Sequence, residues 1–230
     1  MSDQKQYATY NDVHNLCKQS ARGPLKEFKI NLIIAIGGGG YIPARILRSF
    51  LKETPDAPNI PIQAIGLSLY ERLGTESVEE APGTEVKRLQ WLDINSSMAN
   101  LIGKNVLIVD EVDDTRTTLK YAVEELTKDV KNAQDQLAPG DDRKNLETKF
   151  HVFVLHNKDK AKKGALPEDM TVNDQRYHAA VTTGDVWICY PWEAENIEEH
   201  DRKAKLHPIV DTKKTTIEES STQAVQEKVV

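Results

Sequence analysis

The stretch Val106–Leu119, VLIVDEVDDTRTTL, decides the fold. Its first four residues are apolar and rich in β-branched side chains, which reads as a strand buried on both faces. The run ends in adjacent carboxylates, Asp110 and Glu111, and passes through Asp113 and Asp114 into Thr115, Thr117 and Thr118. From there Leu119, Ala122, Val123 and Leu126 share one side of a helical wheel. A strand, an acidic and hydroxylated turn and a helix therefore follow one another. Four more apolar runs read as strands: Leu32–Ile36, Ile62–Leu67, His151–Leu155 and Val186–Tyr190. Ile42, Ile46, Leu47 and Phe50 mark a helix after the first of them. Strands without polar alternation, interleaved with amphipathic helices, predict an α/β domain with a central parallel sheet and helices on both faces. Ligands of such a sheet sit at the carboxyl ends of its strands.

The bulk properties agree with one domain carrying appendages. The chain has 230 residues, 39% hydrophobic and 29% charged, which is ample for a core. Thirty Lys and Arg against 36 Asp and Glu give a formal charge of -6, so no global basic field attracts nucleic acid or an anionic membrane. An anionic ligand must be held locally. Met1–Tyr10 is polar, without an apolar leader, and no run approaches a membrane span, so a cytoplasmic protein is expected. Cys17 and Cys189 suggest neither a disulfide framework nor a zinc site. Glu71–Trp91 reads as a long mobile loop of the kind that closes over a site. Residues 135–149 read as a surface insertion, 1–206 as the domain and 207–230 as a disordered tail.

Two turns carry chemistry. Backbone amides and threonine hydroxyls at a helix N-terminus suit a phosphate, because unpaired donors and the helix dipole converge there. The carboxylates of Asp110 and Glu111 suit the neighbouring hydroxyls of a ribose. Asp114, lying between, is placed to accept a proton from an incoming base. A solvated acidic turn would use the same residue types. The second turn, Gly37–Gly40, follows the first strand and marks close approach of the main chain to something bulky, or an unusual backbone conformation. Its uninterrupted glycines fit neither the dinucleotide fingerprint nor a Walker A loop. Near the C-terminus, Lys158 ends one strand and Trp187-Ile188 lies in another. A cation, an indole face and backbone groups together suit a flat heterocycle with an exocyclic oxygen. Core packing of the tryptophan and a solvated charge run around Lys158 are the plainer readings of each alone.

The stretch 106–119 resembles the phosphoribosyl pyrophosphate signature of the type I phosphoribosyltransferases. AIGGGGYIPARIL (35–47) resembles the pyrophosphate loop of their 6-oxopurine branch, and VLHNKDK (154–160) and IPIQAIGLSLYE (60–71) resemble the fungal xanthine and hypoxanthine-guanine enzymes. The resemblance spans about residues 7–200. It implies a type I fold with a small purine-binding hood, formed mainly by 157–200 with the N-terminus, and a mobile loop. It implies Asp114 as catalytic base, and Asp110, Glu111 and Asp113–Thr118 as the phosphoribosyl and phosphate site. Gly37, Gly38, Gly39, Ser68, Tyr70 and Arg88 would meet pyrophosphate, with a cis peptide at Gly37–Gly38. Lys158 would meet the purine O6, Trp187 stack on the ring and Ile188 read C2 through its backbone. Asp110, Glu111 and Glu193 would hold Mg2+.

Three departures stand out. Arg116 replaces the usual glycine, so either a left-handed backbone strains it or the loop differs and its cation reaches phosphate. Gly38 stands where many relatives carry Lys or Arg. Leu69 separates Ser68 from Tyr70, where the family has Ser-Tyr. The implied function is transfer of phosphoribose to a 6-oxopurine, xanthine favoured, by a homodimer or homotetramer. The rivals are a hypoxanthine-guanine enzyme with little xanthine use, a non-catalytic nucleotide sensor, or an enzyme for another base.

Overall fold

A computed structural model describes residues 5–54, 56–69, 86–92, 101–173 and 175–213. Its larger sheet has six strands. Their ranges are Leu32–Gly37 (β2), Ile62–Leu69 (β3), Val86–Gln90 (β4), Asn105–Asp113 (β5), Lys149–Lys158 (β6) and Tyr177–Thr183 (β7). They lie in the order β4-β3-β2-β5-β6-β7, all parallel except β4, which runs antiparallel to β3. A second sheet pairs Lys5–Tyr7 (β1) in parallel with Trp187–Cys189 (β8).

Successive residues of the central strands point to opposite faces, and both faces are apolar. Ile34, Ile36, Val106, Ile108, Val152 and Val154 pack with Leu119, Val123 and Leu126 of the helix Thr117–Asp135 (α3). Ile33, Ala35, Leu107, Val109, Phe153 and Leu155 pack on the other side. There they meet Val13 and Cys17 of Tyr10–Arg22 (α1) and Ala44 and Leu47 of Tyr41–Phe50 (α2). Burying each such aliphatic side chain stabilises the fold by roughly 1.5–3 kcal/mol before chain entropy is counted. Apolar faces on both sides of a parallel sheet leave only the strand ends for polar chemistry.

Helix α1 begins with a capping box, in which Thr9 Oγ1 accepts from the Asp12 amide at 3.1 Å and the Asp12 carboxylate accepts from the Thr9 amide at 2.9 Å. The last helix, Ile197–Leu206 (α4), begins with Asn196 Oδ1 accepting from the Glu199 amide at 2.8 Å. By contrast α3 starts from Arg116 with no side-chain cap. Among the described residues no helix is long and apolar enough to cross a membrane.

Three expectations need correction. Residues 86–90 of the expected loop form β4, held because Arg88 pairs with Glu125 and Asp129 of α3 and lies 4.1 Å over the Trp91 ring. Residues 70–85 lie outside the described set. Residues 207–213 are ordered rather than tail. The Tyr7 amide donates to the His207 carbonyl at 2.9 Å, and Gln6 Oε1 accepts from the Val210 amide at 3.2 Å. Val186–Tyr190 contributes its strand to the small sheet, and β7 takes the edge of the large one.

Candidate active site

The ends of β2 and β5 open into a cavity of about 500 Å3. Its walls are the Gly37–Gly39 turn, the segment from Asp110 to Leu119, and Lys160 from beyond β6. The peptide Gly37–Gly38 is cis. Two glycines here are dictated by close approach. A Cβ on Gly39 would lie 1.4 Å from Glu111 Oε2, and one on Gly40 would lie 2.3 Å from the Val109 carbonyl. A Cβ on Gly38 would meet nothing within 4 Å, so that position opens toward the cavity without crowding.

Opposite the glycines, β5 delivers its acids. Asp110 is 8% exposed and accepts from the Glu111 amide at 2.9 Å. Burial, then the adjacent Glu111 charge, pushes its carboxyl well above the usual range. Glu111 Oε2 is buried with no hydrogen-bond partner among the described residues. Glu193 is raised by burial and then by Glu111, so these carboxylates share a field of one sign. An acidic, under-bonded group of this kind suits a hard cation that also binds ligand oxygens. No three His, Cys, Asp or Glu side chains among the described residues form a preformed metal cage.

Asp114 sits in a different setting. Lys158 Nζ lies 3.1 Å from its Oδ2 and Lys160 Nζ 3.0 Å from its Oδ1, and both lysines also reach Asp185, at 3.9 and 3.0 Å. Burial would raise the Asp114 carboxyl, but hydrogen bonds from Lys160 and Lys158 outweigh it and hold the group below the usual carboxylate range. The 115–118 turn follows, with the Thr115 and Thr117 hydroxyls 3.0 Å apart. One cavity thus joins glycine amides, ribose-type acids, an ionised carboxylate and the amino end of α3.

A family model described as "Phosphoribosyl transferase domain" matches residues 3–174. The chain belongs to the phosphoribosyl transferase family. It is 55% identical over 196 residues to the hypoxanthine-guanine phosphoribosyltransferase of Schizosaccharomyces pombe, covering 85% of this chain and 92% of that protein. It is 54% identical over 207 residues to xanthine phosphoribosyltransferase 1 of Saccharomyces cerevisiae, covering 88% and 96%. Among solved structures, a hypothetical protein from Neisseria gonorrhoeae with bound ppGpp superposes with a TM-score of 0.66 at 37% identity, covering 90% of this chain and 98% of that one. A purine phosphoribosyltransferase from Pyrococcus horikoshii gives 0.54 at 25% identity, covering 84% and 96%. These matches and the sheet order establish the type I phosphoribosyltransferase fold.

In this phosphoribosyltransferase the cavity gathers Gly37, Gly38, Gly39, Asp110, Glu111, Asp114, Thr115, Thr117 and Thr118 as the sequence suggested. Asp113 and Arg116 also border it, but their side-chain polar groups are committed to protein partners. The Asp113 carboxylate is wholly buried and accepts from Arg116 Nε at 2.9 Å and from the Tyr177 hydroxyl at 2.6 Å. Arg116 has φ 69°, left-handed, and its guanidinium lies 4.8 Å from the Tyr177 ring centroid. The Arg116 backbone is therefore left-handed, and its guanidinium is paired with Asp113.

Arg88 is likewise engaged with α3 and lies outside the cavity lining. Ser68 is outside the lining too, and Tyr70 lies beyond the described residues. Trp187 is 48% exposed and Ile188 8%, and neither lines the cavity; Asp185, two residues before Trp187, lies 3.9 Å from Lys158 Nζ. Lys160, Lys162, Asp185 and Tyr177 were not singled out. In KDKAKK the charges alternate with no period that separates a buried ammonium from a solvated one.

Proposed function

We propose that this chain is a purine-salvage phosphoribosyltransferase. It transfers 5-phosphoribosyl from phosphoribosyl pyrophosphate to N9 of a 6-oxopurine, with xanthine favoured and guanine and hypoxanthine also taken. XMP, GMP or IMP is formed and pyrophosphate released. The observation that carries this reading is the ionised Asp114 standing between two lysines, beside a phosphate-type turn and within the same cavity as the glycine loop.

N9 attacks the anomeric carbon as the bond from that carbon to the pyrophosphate oxygen breaks. Asp114 takes the proton that the purine loses. Its depressed pKa keeps it ionised before the base arrives, and the O6 of the base competes for Lys158, leaving the carboxylate more basic at that moment. The donors of the 115–118 turn hold the 5-phosphate, Asp110 and Glu111 receive the ribose hydroxyls, and amides of the Gly37–Gly39 turn meet the pyrophosphate. Trp187 and the Ile188 backbone close on the base in this reading. Asp110, Glu111 and Glu193 would hold Mg2+, which when bound neutralises the leaving pyrophosphate. A cytoplasmic homodimer or homotetramer belongs to the same proposal.

Pyrophosphate release measured with xanthine, guanine and hypoxanthine in turn tests it. Release with at least one of the three, fastest with xanthine, is expected. Silence with all three would overturn the enzyme assignment, and a clear preference for hypoxanthine or guanine would overturn only the xanthine order.

A further inference from the structure

The large sheet stops pairing where the chemistry begins. The β5–β6 register ends with Asp113 opposite Asn157, so Asp114 and Lys158 are the next pair along, one step past the ladder. Lys158 still pairs with Thr183 of β7, and its carbonyl also accepts from the Lys160 amide at 3.0 Å. Between the β5 and β6 ends the Lys162 ammonium donates at 2.8 Å to each of three carbonyls, those of Asp113, Asp114 and Lys158. A lysine ammonium has three protons, so all three are used. The Asp113 carboxylate lies a further 3.6 Å away, and the lysine side chain is 15% exposed.

The same turn is anchored to the phosphate-type loop. The Lys163 and Gly164 amides donate to the Thr115 carbonyl at 2.9 and 3.1 Å. Gly164 must be glycine for this contact, since a Cβ there would lie 2.6 Å from the Arg116 carbonyl. Residues 162–164 therefore grip the 113–116 segment from behind, while Lys162 itself stays out of the cavity lining that includes Lys160 and Lys163.

We propose that Lys162 is a positioning residue that locks the proton-accepting strand end to the purine-binding strand end, fixing Asp114 against Lys158. This rests on the phosphoribosyl-transfer reading. The mechanical reason is that Lys162 donates to the backbones of both residues, beyond the last ladder pair, and so adds a tie between the strand ends that hold Asp114 and Lys158 3.1 Å apart. Without it, a purine and a phosphoribosyl group bound at the two ends lose their mutual alignment, while each end keeps its own contacts.

The test compares Lys162→Met with Lys162→Arg and wild type, all checked for equal folded content by calorimetry. Met keeps the stem and removes the three donors. Lys162→Met is expected to lower kcat by roughly 10- to 100-fold, the scale of a misalignment near 1 Å, with the KM for phosphoribosyl pyrophosphate little changed. Binding of GMP or XMP, which must span both ends, should weaken by titration calorimetry, while inorganic pyrophosphate binds as before. Arg, which can still donate to several carbonyls, should restore part of kcat. Unchanged kcat and nucleotide affinity in a folded Lys162→Met protein overturns the inference. So does a loss of kcat matched by equal losses for pyrophosphate and nucleotide. A wild type that releases no pyrophosphate sinks the parent reading instead, and the nucleotide and pyrophosphate titrations then still decide the role of Lys162.

Discussion

Replacing Arg116 by glycine sets two effects of opposite sign against each other. The left-handed φ of 69° is unfavourable for a residue with a Cβ by roughly 1–2 kcal/mol, and glycine removes that penalty. Glycine also gives the unfolded chain more freedom, which takes back about 0.5–1 kcal/mol. The larger consequence is electrostatic. The Asp113 carboxylate is wholly buried and Arg116 is its closest cation, at 2.8 Å. Breaking such a pair from one side typically destabilises by about 3–5 kcal/mol. The Tyr177 hydroxyl at 2.6 Å and Lys162 at 3.6 Å remain, so the low end of that range applies. The net expectation is a loss of about 2 kcal/mol, the ion pair outweighing the relieved backbone. Urea unfolding followed by tryptophan fluorescence reads it as a lower midpoint, and thermal unfolding as a drop of about 4–8 °C for a domain of this size. Adding Asp113→Asn to Arg116→Gly should then do less harm than the two losses summed, because the orphaned charge is gone. An Arg116→Gly protein as stable as wild type, or more so, would refute the view that Asp113 is what keeps an arginine in a glycine's conformation.

The remaining predictions are shorter. Asp114→Asn should lower turnover steeply while nucleotide binding is largely kept, and unchanged turnover in a steady-state assay removes Asp114 as the base. Lys158→Ala should raise the purine KM more than that for phosphoribosyl pyrophosphate; equal losses would place Lys158 elsewhere. Gly40→Ala should destabilise by about 1–3 kcal/mol or prevent folding, whereas Gly38→Ala leaves the unfolding midpoint in place, because only the first Cβ collides with backbone. His156 is buried with its pKa lowered to about 4 by burial, so the folded state resists a proton that the unfolded chain accepts below about 6.5. This group's stabilisation is therefore present above pH 6.5 and falls away by about 3 kcal/mol as pH drops to 4, and His156→Gln should flatten that part of the stability profile.

The α/β class was legible because the central strands are apolar on both faces, a pattern that period-2 and period-3.6 reading separates well. The acidic turn was legible for a related reason: eight polar residues crowd the exit of a buried strand within nine positions. Strands β4 and β7 were not, since VKRLQ and YHAAVTT lack a long apolar run and owe their place to sheet edges and tertiary contacts. The same limit explains Asp113 and Arg116. They border the cavity like their neighbours in sequence, but the left-handed turn at Arg116 and Tyr177, sixty-four positions after Asp113, tie their polar groups to one another. The ion pairs of Arg88 were not legible either, because a cation beside a long loop says nothing about Glu125 and Asp129, which belong to a helix far along the chain.

The small sheet has an awkward birth order. Its first strand, Lys5–Tyr7, is synthesised about 180 residues before its partner Trp187–Cys189 and about 200 before the bridge partner Pro208. A nascent chain halted at residue 186 already holds every strand of the large sheet while its amino end waits without a mate. The large sheet can thus form before the small one, and a product cut short at residue 186 would keep the cavity-lining turns of β2 and β5 without the pairing that holds its amino end.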